Sequence, residues 1–266
     1  MKKEYFFKIL RKFKLRDLAA CILLIISAPA FSQSADSLKA PFHLGTVVTV
    51  TNNGISFIPS FTLGKPAAIF DLSVGRKLTF EPQLRFSLEG KPWSFIFWFR
   101  YKLVNLDHFK LSIGGHPALS FKTLDVTFDS VKSNEIVAHR YLAGEIYPSY
   151  NFTKNISAGL YIFGSHALES DQIRNSLMLS LRSTFSSISI IKDISLRFSP
   201  QFYYLRMGET DGYYFSATAT ILKKNLPFSI SSLINQPIKS DVIGGQKFLW
   251  NVSLIYSFNR DVRRTN

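Results

Sequence analysis

The sequence predicts an all-β chain: a transmembrane antiparallel up-and-down β-barrel of twelve strands, with fourteen or ten as the alternative counts. Three observations carry this. Apolar and polar side chains alternate with period two over long segments, as a strand with one greasy and one wetted face requires. The chain is rich in large apolar side chains, with 25 Phe in 266 residues and 15% aromatics. Yet no uncharged apolar run reaches the roughly 18 residues that a spanning helix needs.

Residues 77–89 show the rhythm without a break. Leu78, Phe80, Pro82, Leu84, Phe86 and Leu88 share one face, and Lys77, Thr79, Glu81, Gln83, Arg85, Ser87 and Glu89 the other. After the turn signal Gly90-Lys91-Pro92, Trp93, Phe95, Phe97, Phe99, Tyr101 and Leu103 alternate with Ser94, Ile96, Trp98, Arg100 and Lys102. The alternation recurs in 55–63, 109–122, 177–185, 194–202, 213–221 and 248–258. Its parity survives Gly114-Gly115-His116-Pro117, which reads as one bent strand. A soluble β-sandwich explains single alternating strands. It explains poorly strands this long, because sandwich strands run about 5–6 residues and spanning strands about 9–11.

Strands are expected near 55–63, 66–74, 77–89, 92–104, 107–123, 134–150, 155–168, 173–190, 193–207, 212–223, 226–235 and 246–259. With an even count, both ends of the sheet lie at one rim, the periplasmic one, where the short connectors also fall. The longer connectors, 124–133, 169–172, 208–211 and 236–245, fall at the other rim. Gly64-Lys65 and Gly90-Lys91 are short exceptions there. The segment 43–51 alternates weakly and would make fourteen strands if it brought a partner.

The N-terminus reads as an export signal over 1–32. Lys2, Lys3, Lys8, Arg11, Lys12, Lys14 and Arg16 precede the apolar core 18–26, and small residues follow up to a cleavage point after Ala30 or Ser32. Pro29 and the short apolar core argue against an anchor helix. Leu18-Ala19-Ala20-Cys21 has the look of a lipidation box, but its apolar core follows the cysteine instead of preceding it. With Cys21 removed the mature chain has no cysteine, which excludes disulfides and thiol catalysis. The remaining organisation is an N-terminal periplasmic segment 33–54, a barrel 55–259 and a tail 260–266. The signal holds seven basic residues against Glu4 and Asp17, so +5 of the total +14 leaves with it and +9 remains. Export makes nucleic acid the wrong partner for that excess; lipid headgroups or a lumen fit it.

The closing stretch Asn251-Val-Ser-Leu-Ile-Tyr-Ser-Phe258 resembles the C-terminal signal of outer-membrane barrels, with Ser253 where glycine is usual and eight residues after the terminal aromatic. With Gly90-Lys-Pro-Trp-Ser-Phe95 and the Phe-Ser-Gln of 31–33, it resembles uncharacterised outer-membrane β-barrel proteins of Bacteroidota. That resemblance implies the outer membrane and recognition of Asn251–Phe258 by the barrel-assembly machinery. It brings no site residues.

Parity turns charged groups inward, because a charge on the lipid face costs about 2–4 kcal/mol at mid-bilayer. The lumen-lining candidates are Lys77, Glu81, Arg85, Arg100, Lys102, Lys110, Glu145, Arg182 and Arg197, joined by Trp98, Tyr147, Tyr161, Phe163 and Tyr203. Twelve strands enclose a backbone cylinder roughly 24 Å across. Two readings stand: a narrow pore with a basic bias toward small anionic solutes, and a lumen filled by paired charges that conducts nothing. A lipid-modifying enzyme is disfavoured. His116 and Ser120 share an inward parity, and the His-x-Ser spacing of outer-membrane lipases is missing. The sequence shows no metal spacing, calcium loop or phosphate loop, so no cofactor is expected. Trp93, Tyr101, Tyr204, Tyr213 and Trp250 read as interfacial belts. Export predicts that protein recovered from the outer membrane will lack residues 1–30 or 1–32 by intact mass. It should also fail to react with maleimide.

Overall fold

The computed structural model describes residues 42–128, 131–245 and 247–262. The expected signal, the possible lipidation site and residues 263–266 of the tail lie outside the described residues. Twelve antiparallel strands form one closed barrel in chain order, and the first strand pairs with the last. They are β1 (Phe42–Thr51), β2 (Ala67–Gly75), β3 (Leu78–Ser87), β4 (Pro92–Asn105), β5 (Phe109–Phe128) and β6 (Val131–Asn151), followed by β7 (Ile156–Ala167), β8 (Asn175–Ile191), β9 (Ile194–Met207), β10 (Thr210–Lys223), β11 (Phe228–Ser240) and β12 (Leu249–Val262). Among the described residues no helix crosses a membrane, as the apolar run lengths require.

The strand count is the expected one, but the first strand is not. The weakly alternating segment 42–51 is β1, and the strongly alternating 55–63 is no strand of the barrel. It holds a single isolated bridge, Ile55 to Thr62, and folds into the lumen. The barrel therefore runs 42–262 instead of 55–259, taking residues from both the proposed N-terminal segment 33–54 and the tail 260–266. The physical reason is that β1 mixes its faces. Leu44, Thr46, Val48 and Val50 lie on one face, and His43, Gly45, Val47, Thr49 and Thr51 on the other. The regular Ile55, Phe57, Phe61 row is apolar because it meets the barrel's contents. Pro59, in the middle of that row, is the residue that belongs to a turn instead of a central strand.

Closure rests on β1 and β12, which pair over ten positions from Phe42↔Val262 to Thr51↔Ser253. Connectors at one rim are brief: 76–77, 106–108, 152–155, 192–193 and 224–227. Gly75 opens the first of these at φ 144°, where an added Cβ would lie 2.1 Å from the Leu78 carbonyl oxygen. Asp193 and Asn225 take positive φ in two others, the conformation such residues adopt most readily. The opposite rim carries 52–66, 88–91, 168–174 and 241–248, but the connector expected at 208–211 is only the two-residue turn 208–209 because β10 begins at Thr210. The expected loop 124–133 is instead a continuation of β5 and β6, which pair to Phe128↔Val131. The pairing of β5 with β4 ends at Ser120, and that of β6 with β7 at Tyr141. Beyond these points the two strands pair only with each other, as a hairpin standing past its neighbours.

The outward face is apolar around the whole circumference. Leu78, Leu142, Leu160, Leu181, Phe202, Ile230 and Leu254 are exposed, while their inward neighbours Thr79, Tyr161, Ser180, Tyr203, Ser231 and Ser253 are buried. Outward rings pack along the sheet, as in Phe70–Phe86–Phe95–Phe121 and Phe202–Phe215. A continuous apolar belt of this extent suits hydrocarbon and not water. Replacing Leu181 by Arg should therefore cost about 2–4 kcal/mol. Urea unfolding in phospholipid vesicles, read by the heat-modifiable shift on gels, checks this.

Candidate functional site

The lumen is crossed near the long-connector rim by the β1–β2 segment. Gly54 N–H donates to the Lys65 carbonyl at 2.9 Å, and Leu63 N–H to the Gly54 carbonyl at 2.7 Å, so the segment doubles back as a small hairpin. Its tip is a turn closed by Phe61 N–H to the Ile58 carbonyl at 3.1 Å, with Pro59 in the second position that such turns favour. Ile55, Ile58 and Ser60 are buried. Phe57 packs edge-on to Phe163, with ring centres 4.9 Å apart, and reaches Trp98 and His116. The Ser60 hydroxyl meets that of Tyr203 at 2.7 Å, and Tyr203 donates to Asn235 Oδ1 at 2.7 Å. Tyr203 stacks on Tyr214 at 4.8 Å. Val242, from the β11–β12 connector, joins the same apolar cluster with Ile96, Met178 and Leu205.

Toward the short-turn rim lies a layer of charge. Arg100 on β4, Gly114 on β5 and Glu145 on β6 are in register across three strands. At a strand spacing of about 4.8 Å, Arg100 can reach Glu145 only over an unobstructed middle strand. Gly114 supplies this: a Cβ there would lie 3.0 Å from Glu145 Oε1 and 3.1 Å from Arg100 Cγ. Arg100 Nε donates to Glu145 Oε1 at 2.5 Å, and its Nη1 to Glu81 Oε2. Glu81 Oε1 also accepts from Thr79 at 2.7 Å, and Glu145 Oε2 from the Tyr161 hydroxyl at 2.6 Å. Arg182 lies over the Tyr161 ring at 3.6 Å and donates to Gln201 at 3.2 Å. Arg100 lies over Trp98 at 4.1 Å.

The nine candidates thus divide by height. Glu81, Arg100, Glu145 and Arg182 form this layer, and Arg85 is buried higher on β3. Lys102, Lys110 and Arg197 are exposed near the short-turn ends of β4, β5 and β9. Lys77 sits in the β2–β3 turn with its ammonium 5.3 Å from the Tyr101 ring.

Two cavities flank the Phe57–Trp98–His116–Phe163 layer. The inner one, about 320 Å³, is lined by Gln83, Arg100, Ser112, Glu145, Tyr147 and Arg182, among others. The outer one, about 590 Å³, lies between the inward hairpin and the wall, touching Ile58, Phe61, Arg85, Trp93, Ser94 and Ser120. Sequence reasoning missed this second space. Parity placed Trp93 among the outward rings, but a register shift between Arg85 and Phe86 brings it beside Gly54 and Arg85 instead. Only the mismatch between Pro59 and a strand hinted that 55–63 would supply an inner wall.

Ser120 lies across from His139 in the β5–β6 ladder, and His139 Nε2 is 3.4 Å from Asp171 Oδ2. Among the described residues no hydrogen bond joins Ser120 to His139 or to His116. The nucleophile–base contact needed for acyl transfer is thus not formed. No group of three or more potential metal ligands occurs among the described residues.

No protein-family model matches the chain, and no curated protein sequence matches it. Solved outer-membrane barrels share its architecture. An outer-membrane channel from Pseudomonas putida F1 is 11% identical, with 87% of this chain and 100% of that one covered and a TM-score of 0.46. The NanC porin is 10% identical over 83% of this chain and 100% of that one, with a TM-score of 0.48. The KdgM porin, solved in complex with disordered oligogalacturonate, is 10% identical over 81% and 99%, with a TM-score of 0.46. These are likenesses of fold.

The charge layer gives a stability prediction. Arg100→Met leaves the buried Glu145 without its cation and should cost roughly 3 kcal/mol, the low end of the usual range because Arg100 is partly exposed. Adding Glu81→Gln and Glu145→Gln should recover most of that loss. Urea unfolding of the single and triple variants in vesicles measures both.

Proposed function

We propose that this chain is an outer-membrane channel for small solutes whose lumen is held shut by the 52–66 segment. The observation that carries the reading is that a connector, not the wall, closes the lumen. The sheet is complete without it, since Thr51 and Ala67 are directly opposite in the β1–β2 ladder. Cavities stand on both sides of the segment's apolar tip. The tip of the segment is tied to the wall by one hydroxyl pair, Ser60 with Tyr203, plus ring contacts around Phe57, while its base is fixed by Asn52 and Asn53 to β12 and by Lys65 to Glu89. A tip held by so few polar bonds can swing aside about its fixed base, as loops that gate other sites do.

The apolar belt, the asymmetry of the rims and the export signal read from the sequence support the outer membrane as its location, with the short turns toward the periplasm. On this reading β12, which contains Asn251–Phe258, is the strand offered to the assembly machinery. An anionic preference is supported by the short-turn rim and not by the mid-lumen. Glu81 and Glu145 balance Arg100 and Arg182 in the middle, whereas Lys102, Lys110 and Arg197 lie near the periplasmic end; Lys77, whose ammonium sits over the outward Tyr101 ring, is off the lumen. Such a ring raises the local concentration of anions.

The same charge layer favours a second reading, a filled barrel that conducts nothing. Replacing 52–66 by Asn-Gly, which fits a two-residue hairpin, separates them. In planar bilayers the full chain should give small, infrequent conductance steps. The shortened chain should give several-fold larger and persistent ones, with a reversal potential shifted toward the anion. A shortened chain that folds yet stays silent rejects the channel.

A further inference from the structure

The outer cavity carries an inference of its own, independent of whether the lumen conducts. Its wall contains polar groups that the protein leaves unanswered. Arg85 is 6% exposed and His116 5%, and both line the space. Arg85 Nε, Ser94 Oγ and both ring nitrogens of His116 are buried without a hydrogen-bond partner. Arg85 has one bond, from Nη2 to Gln83 Oε1 at 3.2 Å. No ion pair joins it to a carboxylate among the described residues; the carboxylate whose field it feels is that of Asp71, on β2. A buried guanidinium in this state is costly unless something pairs with it.

These groups are ordered by the sheet. Arg85, Ser94 and Ser120 are successive partners across β3, β4 and β5, near the long-connector rim. Directly paired strand residues hold their Cβ atoms about 4.5–5.5 Å apart, so the three present one polar row. Lys122 stands at its outer side. Deeper along β4 and β5 come Ile96 with Ala118, then Trp98 packed on His116 at 4.0 Å. Phe57 and Phe163 close the bottom. The space is therefore polar at its mouth, where Arg85 and Lys122 outnumber the single carboxylate of Asp171, and apolar, largely aromatic, below, at a volume in the range of small-ligand sites.

We propose that this cavity binds a small amphipathic carboxylate. The acid group would be held by Arg85, Ser94 and Ser120, and the apolar body would lie against Ile96, Phe57 and Phe163. A carboxylate matches the unpaired guanidinium and the serine donors together, which a neutral polar group does not. A fully hydrated sugar acid would leave the lower wall unsatisfied. His116, at the base, offers a bond to a polar atom on the far end of the body.

The probe is 2-naphthoate, whose intrinsic fluorescence reports binding to the purified full chain in nanodiscs. Saturable binding is expected, at least tenfold tighter than that of 2-naphthamide, which has the same body without the charge. Arg85→Gln should reduce naphthoate affinity at least tenfold and leave the naphthamide affinity within about twofold. The acid–amide comparison uses the unaltered protein, so it decides the matter even if Arg85→Gln does not fold. Absence of naphthoate binding, or equal affinity for acid and amide, overturns the proposal. Because binding is read at equilibrium, its failure is distinct from silence of the channel in a bilayer.

Discussion

Backbone polar groups facing hydrocarbon have no solvent to bond with, and each unpaired one costs several kcal/mol. For strands the only solution is a ring without edges. The pairing of β1 with β12 is the contact that removes the last edge. Everything else about the molecule is a consequence of closing at twelve strands. The outer face must be apolar wherever it meets lipid. The inner face receives every residue that cannot be placed outside. The interior is then wider than wall side chains alone can fill, yet small enough that a modest insertion blocks it.

The chain fills that interior in two ways that differ in permanence. Near the short-turn rim the filling comes from the wall, and the residues concerned are locked to one another. Arg100 is held by Glu81 and Glu145, Glu145 also by Tyr161, and the arrangement exists because Gly114 has no side chain to obstruct it. Removing one member strands the rest, so this layer resists rearrangement. Near the other rim the filling comes from a connector whose two ends meet at adjacent positions of a hairpin. Displacing its tip breaks the Ser60–Tyr203 pair and leaves the barrel ladder intact.

The sequence made eleven of the twelve strands legible because period-two alternation is a direct record of having lipid on one side and not the other. It failed at the one place where that inference is degenerate. The row Ile55, Phe57, Phe61 is apolar on one side and polar on the other, as a lipid-facing strand would be, but its apolar side faces the inner cluster. Alternation reports contrast between two faces and does not say which face meets hydrocarbon. The strand β1 was faint for the complementary reason: threonine is tolerated outside at Thr46, and valine inside at Val47. Parity put Glu81, Arg100, Glu145 and Arg182 on the inner face, and the structure brings them into one layer because no irregularity intervenes between them. It lost Trp93, the extra residue at a shift in the β3–β4 ladder between Pro92 and Ser94. The long hairpin of β5 and β6 was read as a loop because strand pairing beyond the membrane needs no apolar face.

The height at which charge is placed decides what the barrel can discriminate. A charge layer that is internally neutral and bonded contributes stiffness and a narrow bore, but little net field. The unbalanced basic groups Lys102, Lys110 and Arg197 are exposed near the short-turn rim, where their attraction is shared with salt. On the proposed channel reading they would bias the sign of what passes without selecting one solute. Selection needs a dry contact with unshared donors, and Arg85, Ser94 and His116 supply that only behind the 52–66 segment. The wall of that space is partly the segment itself, through Phe57 and Ile58. Movement of the segment would therefore dismantle the contacts that hold a bound molecule at the same moment that it opens the route inward. Occupancy and opening are then coupled through one movable element: a ligand favours whichever position of the segment it contacts best, by no more than the difference in those contacts.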